Sequence, residues 1–246
     1  MSVTGVHERL AEFSRTIIGL EPQNDWYAFY AGQHTARMAS DIDLVAGALP
    51  PPARVLDVGC NPPWTLATLL ALGYDATGID VNPDSFTASR QKLQLPVVKT
   101  DIEREVLPFP DASFDVVMFC EVFEHLRINP VFTVSQIHRV LRPGGFLYLS
   151  TPNLFSLAGI RNFLLRRSAY SWSADDLYSE LNRVNEMGFA GHVREYTHRE
   201  VEGFLTRSGF SRIEPFFRLG GTKGWTRPLY AVAPFLRPNV AFRAWR

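Results

Sequence analysis

Apolar positions in this chain fall into short blocks separated by polar and turn-forming segments, and the spacing changes along its length. Residues 1–49 read as mostly helical, with a polar break at Glu21-Pro22-Gln23-Asn24-Asp25. Pro50-Pro51-Pro52 ends any helix, because proline removes a donor and disfavours helical geometry in the residue before it. About a hundred residues of alternating strand and helix patterns follow. Arg54–Gly59 predicts a first strand. Trp64–Leu72 predicts a helix, with Leu66, Leu69 and Leu70 at core spacing and Gly73 as its stop. Ala76–Asp80 predicts a second strand, Asp84–Leu93 a helix and Pro96–Asp101 a third short strand. Phe114–Cys120 is apolar enough for a strand buried on both faces. A helix over Asn129–Leu141 ends in Arg142-Pro143-Gly144-Gly145, a turn signal, before a fifth strand over Phe146–Ser150.

Strands alternating with helices imply right-handed crossovers, a parallel sheet and helices on both faces. In such folds ligands bind beyond the carboxyl ends of the strands, near the switch point. Residues 154–193 break the pattern with a helix over Leu154–Arg167, basic at Arg161, Arg166 and Arg167, and a stretch holding Tyr170, Trp172 and Tyr178. Thr197-His198-Arg199-Glu200 has the spacing of a capping box, opening a helix that Gly209 ends. A sixth strand is expected over Phe210–Phe217 and a seventh within Pro228–Ala233, with no assignment from Pro234 onward. The resulting organisation is a helical cap over 1–52 and one domain over 53–246, in which 154–193 is a substrate-covering insertion.

Composition narrows the field. The 246 residues carry 25 Lys+Arg against 25 Asp+Glu, and 46% are hydrophobic. That is ordinary for a globular protein and lacks the basic surplus of a dedicated nucleic-acid binder. Two cysteines build no disulfide framework, and they are expected as buried thiols in a reducing compartment. Neither a signal peptide nor a run of about 20 apolar residues is visible, so the expected location is the cytoplasm. Peripheral membrane contact stays open because Arg212, Arg218, Lys223, Arg227, Arg237, Arg243 and Arg246 mix with aromatic residues near the carboxyl end. The alternative there is a solvated rim. Trp26, Tyr27, Phe29 and Tyr30 are read as core packing, with a lid as the alternative.

The candidate chemistry lies at the strand ends. Asp57, Asp80, Asp101 and Glu121 recur at matching places. A lone carboxylate there is often a cap, but four in series on one sheet edge are harder to explain that way. A carboxylate ending strand two can accept both hydroxyls of a ribose and repels a phosphorylated one. A carboxylate ending strand three can accept from the amine of adenine. Gly59 lets the backbone approach a ligand. The following loop, Cys60-Asn61-Pro62-Pro63-Trp64, is not the glycine-rich turn that cradles a pyrophosphate, and its two prolines delete two amide donors. The row therefore fits an adenosyl ligand without phosphate.

RVLDVG at Arg54–Gly59, GID at Gly78–Asp80, LPFPDASFDVV at Leu107–Val117, VFEHL at Val122–Leu126 and RVLRPGG at Arg139–Gly145 together resemble the class I S-adenosylmethionine-dependent methyltransferases. The similarity is to the broad subgroup of ubiquinone-pathway O-methyltransferases and glycan or lipid methyltransferases, and HVREYT at His192–Thr197 adds to it. The resemblance implies an α/β, Rossmann-like, doubly wound sheet of seven strands, mostly parallel with the last antiparallel. It implies S-adenosyl-L-methionine as cofactor, with Asp57 and Gly59 at its amino-acid end, beside Cys60 and Asn61. Asp80 and Val81 would face the ribose, Asp101 and Ile102 the adenine, and Cys120 and Glu121 the floor near the sulfonium. Further glycines usual in the family are replaced here by Asn61 and Pro63.

The activity this implies is methyl transfer to oxygen on a small-molecule, glycan or lipid-linked acceptor, with no nucleic acid and no oligomeric state read. N- or C-methylation of a small metabolite is the alternative, as is a non-catalytic regulatory protein with a degenerate loop. A hydroxyl acceptor calls for a base, and His125 and His192 are the candidates. The alternative for His125 is a packing role under the cofactor. Glu121, Glu124 and His125 cluster in sequence, but they read as a solvated edge, and no metal is expected.

Overall fold

The structure, a computed structural model, describes residues 3–21, 25–171, 176–187, 191–218 and 226–246. Its elements in chain order are α1 (Val3–Leu20), α2 (Asp25–Ala48), β1 (Arg54–Val58), α3 (Trp64–Ala71), β2 (Asp75–Asp80), α4 (Thr87–Leu93), β3 (Val97–Lys99) and β4 (Phe114–Cys120). They continue as α5 (Pro130–Val140), β5 (Leu141–Pro152), α6 (Leu157–Arg166), α7 (Leu177–Met187), α8 (His198–Arg207), β6 (Arg212–Arg218), α9 (Arg227–Val232) and β7 (Asn239–Trp245). The seven strands form one sheet in the order β3-β2-β1-β4-β5-β7-β6. The pairs β1–β2, β1–β4 and β2–β3 are parallel, and β6–β7 is antiparallel. The doubly wound seven-stranded fold is therefore as the resemblance implied. The order reverses beside β1, which puts the switch point there.

The chain divides into two compact units. The first is Met1–Met118 with Arg139–Phe146; the second is Phe119–His138 with Leu147–Arg246. In the first, α1 packs on α2 and α3. Leu10, Ile17, Ile42, Val55, Leu56, Trp64 and Leu66 are wholly buried. The Glu21 carboxylate accepts from the Ser89 amide and hydroxyl at 2.7 and 2.6 Å, tying the end of α1 to α4. The second unit buries Val201 and Leu205 of α8 with Val240, Ala241 and Phe242 of β7. The expected capping box is present: the Thr197 side chain accepts from the Glu200 amide, and the Glu200 side chain accepts from the Thr197 amide.

Two sequence expectations are corrected. Pro228–Ala233 is not a strand but largely the helix α9, with Pro228 in its first turn, where a missing amide costs nothing. The seventh strand is Asn239–Trp245, within the stretch left unassigned. Its sequence, NVAFRAW, is buried nearly throughout and lacks the alternation that marks a half-exposed strand. The fifth strand also begins earlier than expected, at Leu141, and runs through Pro143-Gly144-Gly145. The amino-terminal aromatic group splits. Tyr27 is buried edge-on against Phe86 at 4.9 Å, whereas Phe29 is 65% exposed, so Phe29 is not core packing, and the Trp26 side chain lies outside the described part. Trp172, Lys223 and Trp225 lie outside the described residues.

Four residues of the basic carboxyl-terminal run, Arg212, Arg218, Arg237 and Arg243, are engaged within their own unit. Arg212 and Arg243 both reach Glu214, Arg218 reaches Glu121 at 3.5 Å, and Arg237 donates to the Phe217 and Tyr230 carbonyls. Among the described residues no helix is long and apolar enough to cross a membrane.

Candidate functional site

In the first unit the acidic row stands at the carboxyl ends of β1, β2 and β3. Gly59 follows β1 at φ 71°, a backbone conformation that side chains disfavour, and its amide donates to the Ile79 carbonyl at 2.9 Å. This turns the chain sharply out of the strand. Asp57 is 5% exposed, and its Oδ2 has no partner among the described residues. Burial, with the nearby negative charge of Asp80, raises its pKa to about 7. Asn61 Oδ1 and Trp64 Nε1 are likewise buried without a partner among the described residues, so β1, the turn after it and the first residue of α3 hold three unsatisfied polar atoms. Buried polar atoms of this kind are rare unless a ligand or water completes them.

Asp80 closes the loop. Its Oδ1 accepts from the Asn82 amide at 2.8 Å and its Oδ2 from the Asn61 amide at 3.2 Å. Burial raises its pKa, and those amide bonds oppose the rise. The amide of Asn61 is thus used inside the protein, which accounts for a loop that tolerates Pro62 and Pro63 without a phosphate to cradle. Val81 beside it is 49% exposed, an apolar surface next to the carboxylate. Asp101 behaves as a turn cap: one carboxylate oxygen accepts from the Glu103 amide at 3.1 Å and the other from Arg104 at 2.8 Å, with Ile102 half-buried between.

Cys60 contributes backbone rather than side chain. Its thiol is buried, and a Cβ added at Gly78 would come within 2.6 Å of the sulfur, so strand β2 approaches the thiol as closely as glycine allows. Burial, then the charges of Asp57 and Asp80, push its pKa up, away from nucleophilic chemistry.

The second unit holds the other predicted residues. Cys120 ends β4, and Glu121 follows at φ 56°, a left-handed conformation for a residue that is not glycine. Its amide donates to the Ser150 carbonyl at 2.8 Å, and its Oε1 accepts from Ser150 Oγ at 2.9 Å. Glu124 is 1% exposed; its Oε2 accepts from Thr151 Oγ1 at 3.0 Å, and its Oε1 has no partner among the described residues. Burial and the charge of Glu121 raise its pKa.

His125 and His192 meet, with ring centroids 5.0 Å apart. His125 Nδ1 lies 3.0 Å from the Gly191 carbonyl, which makes Nδ1 the protonated nitrogen. Burial and the neighbouring His192 lower its pKa to about 4. His192 differs. Its Nδ1 bonds Glu195 Oε1 at 2.9 Å, and its amide donates to Glu180 at 3.1 Å. Burial would lower its pKa, but the Glu195 bond and the charges of Glu124, Glu195 and Glu121 outweigh it, and the net direction is upward. Glu195 is itself pinned by the Ser171 amide at 2.6 Å and by the Ser171 hydroxyl. Sequence reasoning missed Glu195, although the spacing His192-Val193-Arg194-Glu195, three residues apart in a short turn, carried the signal.

Comparison with known proteins bears on the family and the fold. Residues 56–149 match a family described as a methyltransferase domain. A probable S-adenosylmethionine-dependent methyltransferase of Mycolicibacterium smegmatis is 33% identical over 144 residues, covering 56% of this chain and 50% of that protein. A ubiquinone biosynthesis O-methyltransferase of Xanthomonas campestris is 32% identical over 126 residues, covering 48% of this chain and 52% of that protein. The chain spans about half the length of these curated relatives. The crystal structure of an S-adenosylmethionine-dependent methyltransferase from Archaeoglobus fulgidus shares the fold, with a TM-score of 0.60 at 17% identity, covering 91% of this chain and all of that one. With a matching domain over residues 56–149, an acidic strand-end row and the sheet order on which it stands, the chain is similar to the class I S-adenosylmethionine-dependent methyltransferases and shares their fold.

Proposed function

We propose that the chain transfers a methyl group from S-adenosylmethionine to an oxygen of a small-molecule, glycan or lipid-linked acceptor. The observation that carries the cofactor is the first unit's phosphate-free acidic edge, above all the buried Asp57 carboxylate with an unpartnered oxygen. The fit is chemical. Asp57 accepts from an ammonium, and the Gly59 turn leaves room for the backbone to approach. Asp80 keeps lone pairs for a ribose diol while it holds the loop. Val81 and Ile102 offer apolar surface to a purine, and Asp101 a further acceptor. Bound there, S-adenosylmethionine supplies a methyl group on a positively charged sulfur, already activated for transfer. Alignment and exclusion of water then supply most of the rate.

Oxygen as the acceptor atom is supported by the O-methyltransferase among the relatives and by His192. A hydroxyl must lose its proton as it reacts, and an imidazole with Nδ1 held on Glu195 presents Nε2 in a fixed tautomer. His125, held on a backbone carbonyl, serves as its packing neighbour. Transfer from cofactor labelled with ¹³C in its methyl group tests the acceptor atom across a panel of phenols, glycans and amines. The transferred carbon is expected to resonate as a methyl ether. A methylamine or carbon-bound methyl product would overturn O-methylation in favour of the alternative chemistry.

A further inference from the structure

We propose that the first two turns of α2 are the roof of the cofactor site, and that Tyr27 and Tyr30 there are positioning residues whose docking is coupled to S-adenosylmethionine. The roof deepens the proposed function and rests on its cofactor assignment. Two turns of chain flank the acidic edge of the first unit. One runs from Gly59 to Trp64 after β1, and the other is the short helical turn Pro83–Phe86 after β2. Asp80 ties them together, since its two oxygens accept from the Asn61 and Asn82 amides, and Asn61 Nδ2 donates to the Asn82 carbonyl at 2.8 Å. α2 rests on both turns. The Tyr27 ring meets the buried Phe86 at 4.9 Å, and the Tyr30 ring lies 6.1 Å from Trp64, wholly buried at the start of α3. Residues three apart share a helix face, so one face of α2 spans the seam between the two turns.

A polar atom at the Tyr30 end points to a ligand there. Trp64 Nε1 is buried with no partner among the described residues, although a buried indole N–H ordinarily finds one. The methionine carboxylate of the cofactor is an acceptor of matching chemistry, and Asp57 Oδ2 and Asn61 Oδ1 match its ammonium. At the Tyr27 end, burial and then the charges of Asp80 and Glu21 raise the phenol's pKa, so its hydroxyl stays a donor in the field of the carboxylate assigned to the ribose. The helix is held unevenly along its length. Its second half buries Ala39, Ile42 and Val45, whereas the described side chains of the first half bury only Tyr27 and Ala31, with Phe29 65% exposed. Arg37 donates from Nη2 to the Tyr30 hydroxyl at 3.2 Å, which orients that ring from the firmer half. A segment with few buried aliphatic contacts opens most readily. A cofactor beneath it adds contacts and, because coupling is reciprocal, the docked helix adds to the cofactor's affinity. Closure of such a segment also sequesters the transferring methyl group from water.

Hydrogen exchange on the full chain, with and without S-adenosylhomocysteine, tests the coupling. The amides of Ala28–His34 are expected to slow about 10-fold or more on binding, while those of Ile42–Ala48 change little. Calorimetric titration of folded variants with two ligands then locates each tyrosine's effect. The second ligand, methylthioadenosine, has the nucleoside and lacks the amino-acid end. Tyr27→Leu should weaken both ligands about 5- to 50-fold, whereas Tyr30→Leu should weaken S-adenosylhomocysteine by that much and leave methylthioadenosine unchanged. Tyr27→Phe and Tyr30→Phe keep the rings and should recover most of the loss. A role confined to packing weakens both ligands alike in both variants, or neither ligand, and either result overturns the roof, as does exchange that the ligand leaves unaltered. Circular dichroism melts identify any variant that fails to fold, and exchange in the wild-type chain then decides alone. A wild-type chain that binds no S-adenosylhomocysteine removes the cofactor assignment together with the roof. Binding that leaves the α2 amides unprotected removes the roof alone.

Discussion

Asp57→Asn is expected to weaken S-adenosylhomocysteine binding while making the unliganded protein more stable at pH 8. The two effects share one cause. Asp57 is buried, and burial together with Asp80 lifts its pKa from the ordinary 3.8 to about 7. An ionised carboxylate in that position lacks a partner for Oδ2 until a cationic ligand arrives. Such a rise corresponds to about 4 kcal/mol of lost folding stability once the group is ionised in both states. The sign follows from the direction of the shift. Below about pH 4 the carboxyl is neutral in folded and unfolded chains alike, and there is no cost. Between there and pH 7 the unfolded chain gives up its proton first, so stability falls as pH rises; above pH 7 the full cost is present. Asparagine is neutral throughout, so the variant should melt several degrees higher than wild type at pH 8, with the advantage gone near pH 4. Replacing a charge-assisted bond to the ligand's ammonium costs about 1.5–3 kcal/mol, roughly a 10- to 100-fold loss of affinity. Melting curves at the two pH values and a titration at pH 8 check both halves. A variant that loses stability at pH 8 while binding normally would remove Asp57 from the cofactor site.

His192→Ala should cost about 10²- to 10⁴-fold in turnover of a hydroxyl acceptor, with S-adenosylhomocysteine affinity unchanged. The argument rests on placement. The acidic row proposed to hold the cofactor, Asp57, Asp80 and Asp101, belongs to one compact unit, whereas His192 belongs to the other, held by Glu195 on Nδ1 and Glu180 on its amide. Removing the ring therefore leaves those three proposed ligands in place. Ser171→Ala is expected to do the same more weakly, because it removes the hydroxyl's bond to Glu195 and keeps the amide's. Single-turnover rates paired with product-binding titrations separate the two quantities. Turnover that survives in His192→Ala would show that the acceptor's proton leaves by another route.

Much of this was legible in the chain because it depends on local pattern. The run Phe114–Cys120 forms a strand from end to end because every position tolerates burial, and it is buried at all but the last. The acids at Asp57, Asp80 and Asp101 are readable because a parallel sheet delivers successive strand ends to one edge. The absence of a pyrophosphate cradle is readable from Pro62 and Pro63. What stayed hidden depends on contacts between distant residues. The strand Asn239–Trp245 has its register fixed by pairing with Arg212–Arg218 from the preceding strand, and its own pattern does not announce it. The pairing of Glu124 and His125 with His192 joins segments more than sixty residues apart, so the sequence offered Glu121 instead. Asp101 shows the converse: a position that fits adenine chemically also carries out the ordinary work of a turn cap.

The central assignment is that the first unit's acidic edge holds a nucleoside without phosphate. Isothermal titration of the wild-type chain with S-adenosylhomocysteine, set beside NADH at the same concentrations, bears on it most directly. The account predicts one site of micromolar affinity for the former and no measurable heat from the latter. Heat from the dinucleotide alone, or from neither, would contradict it.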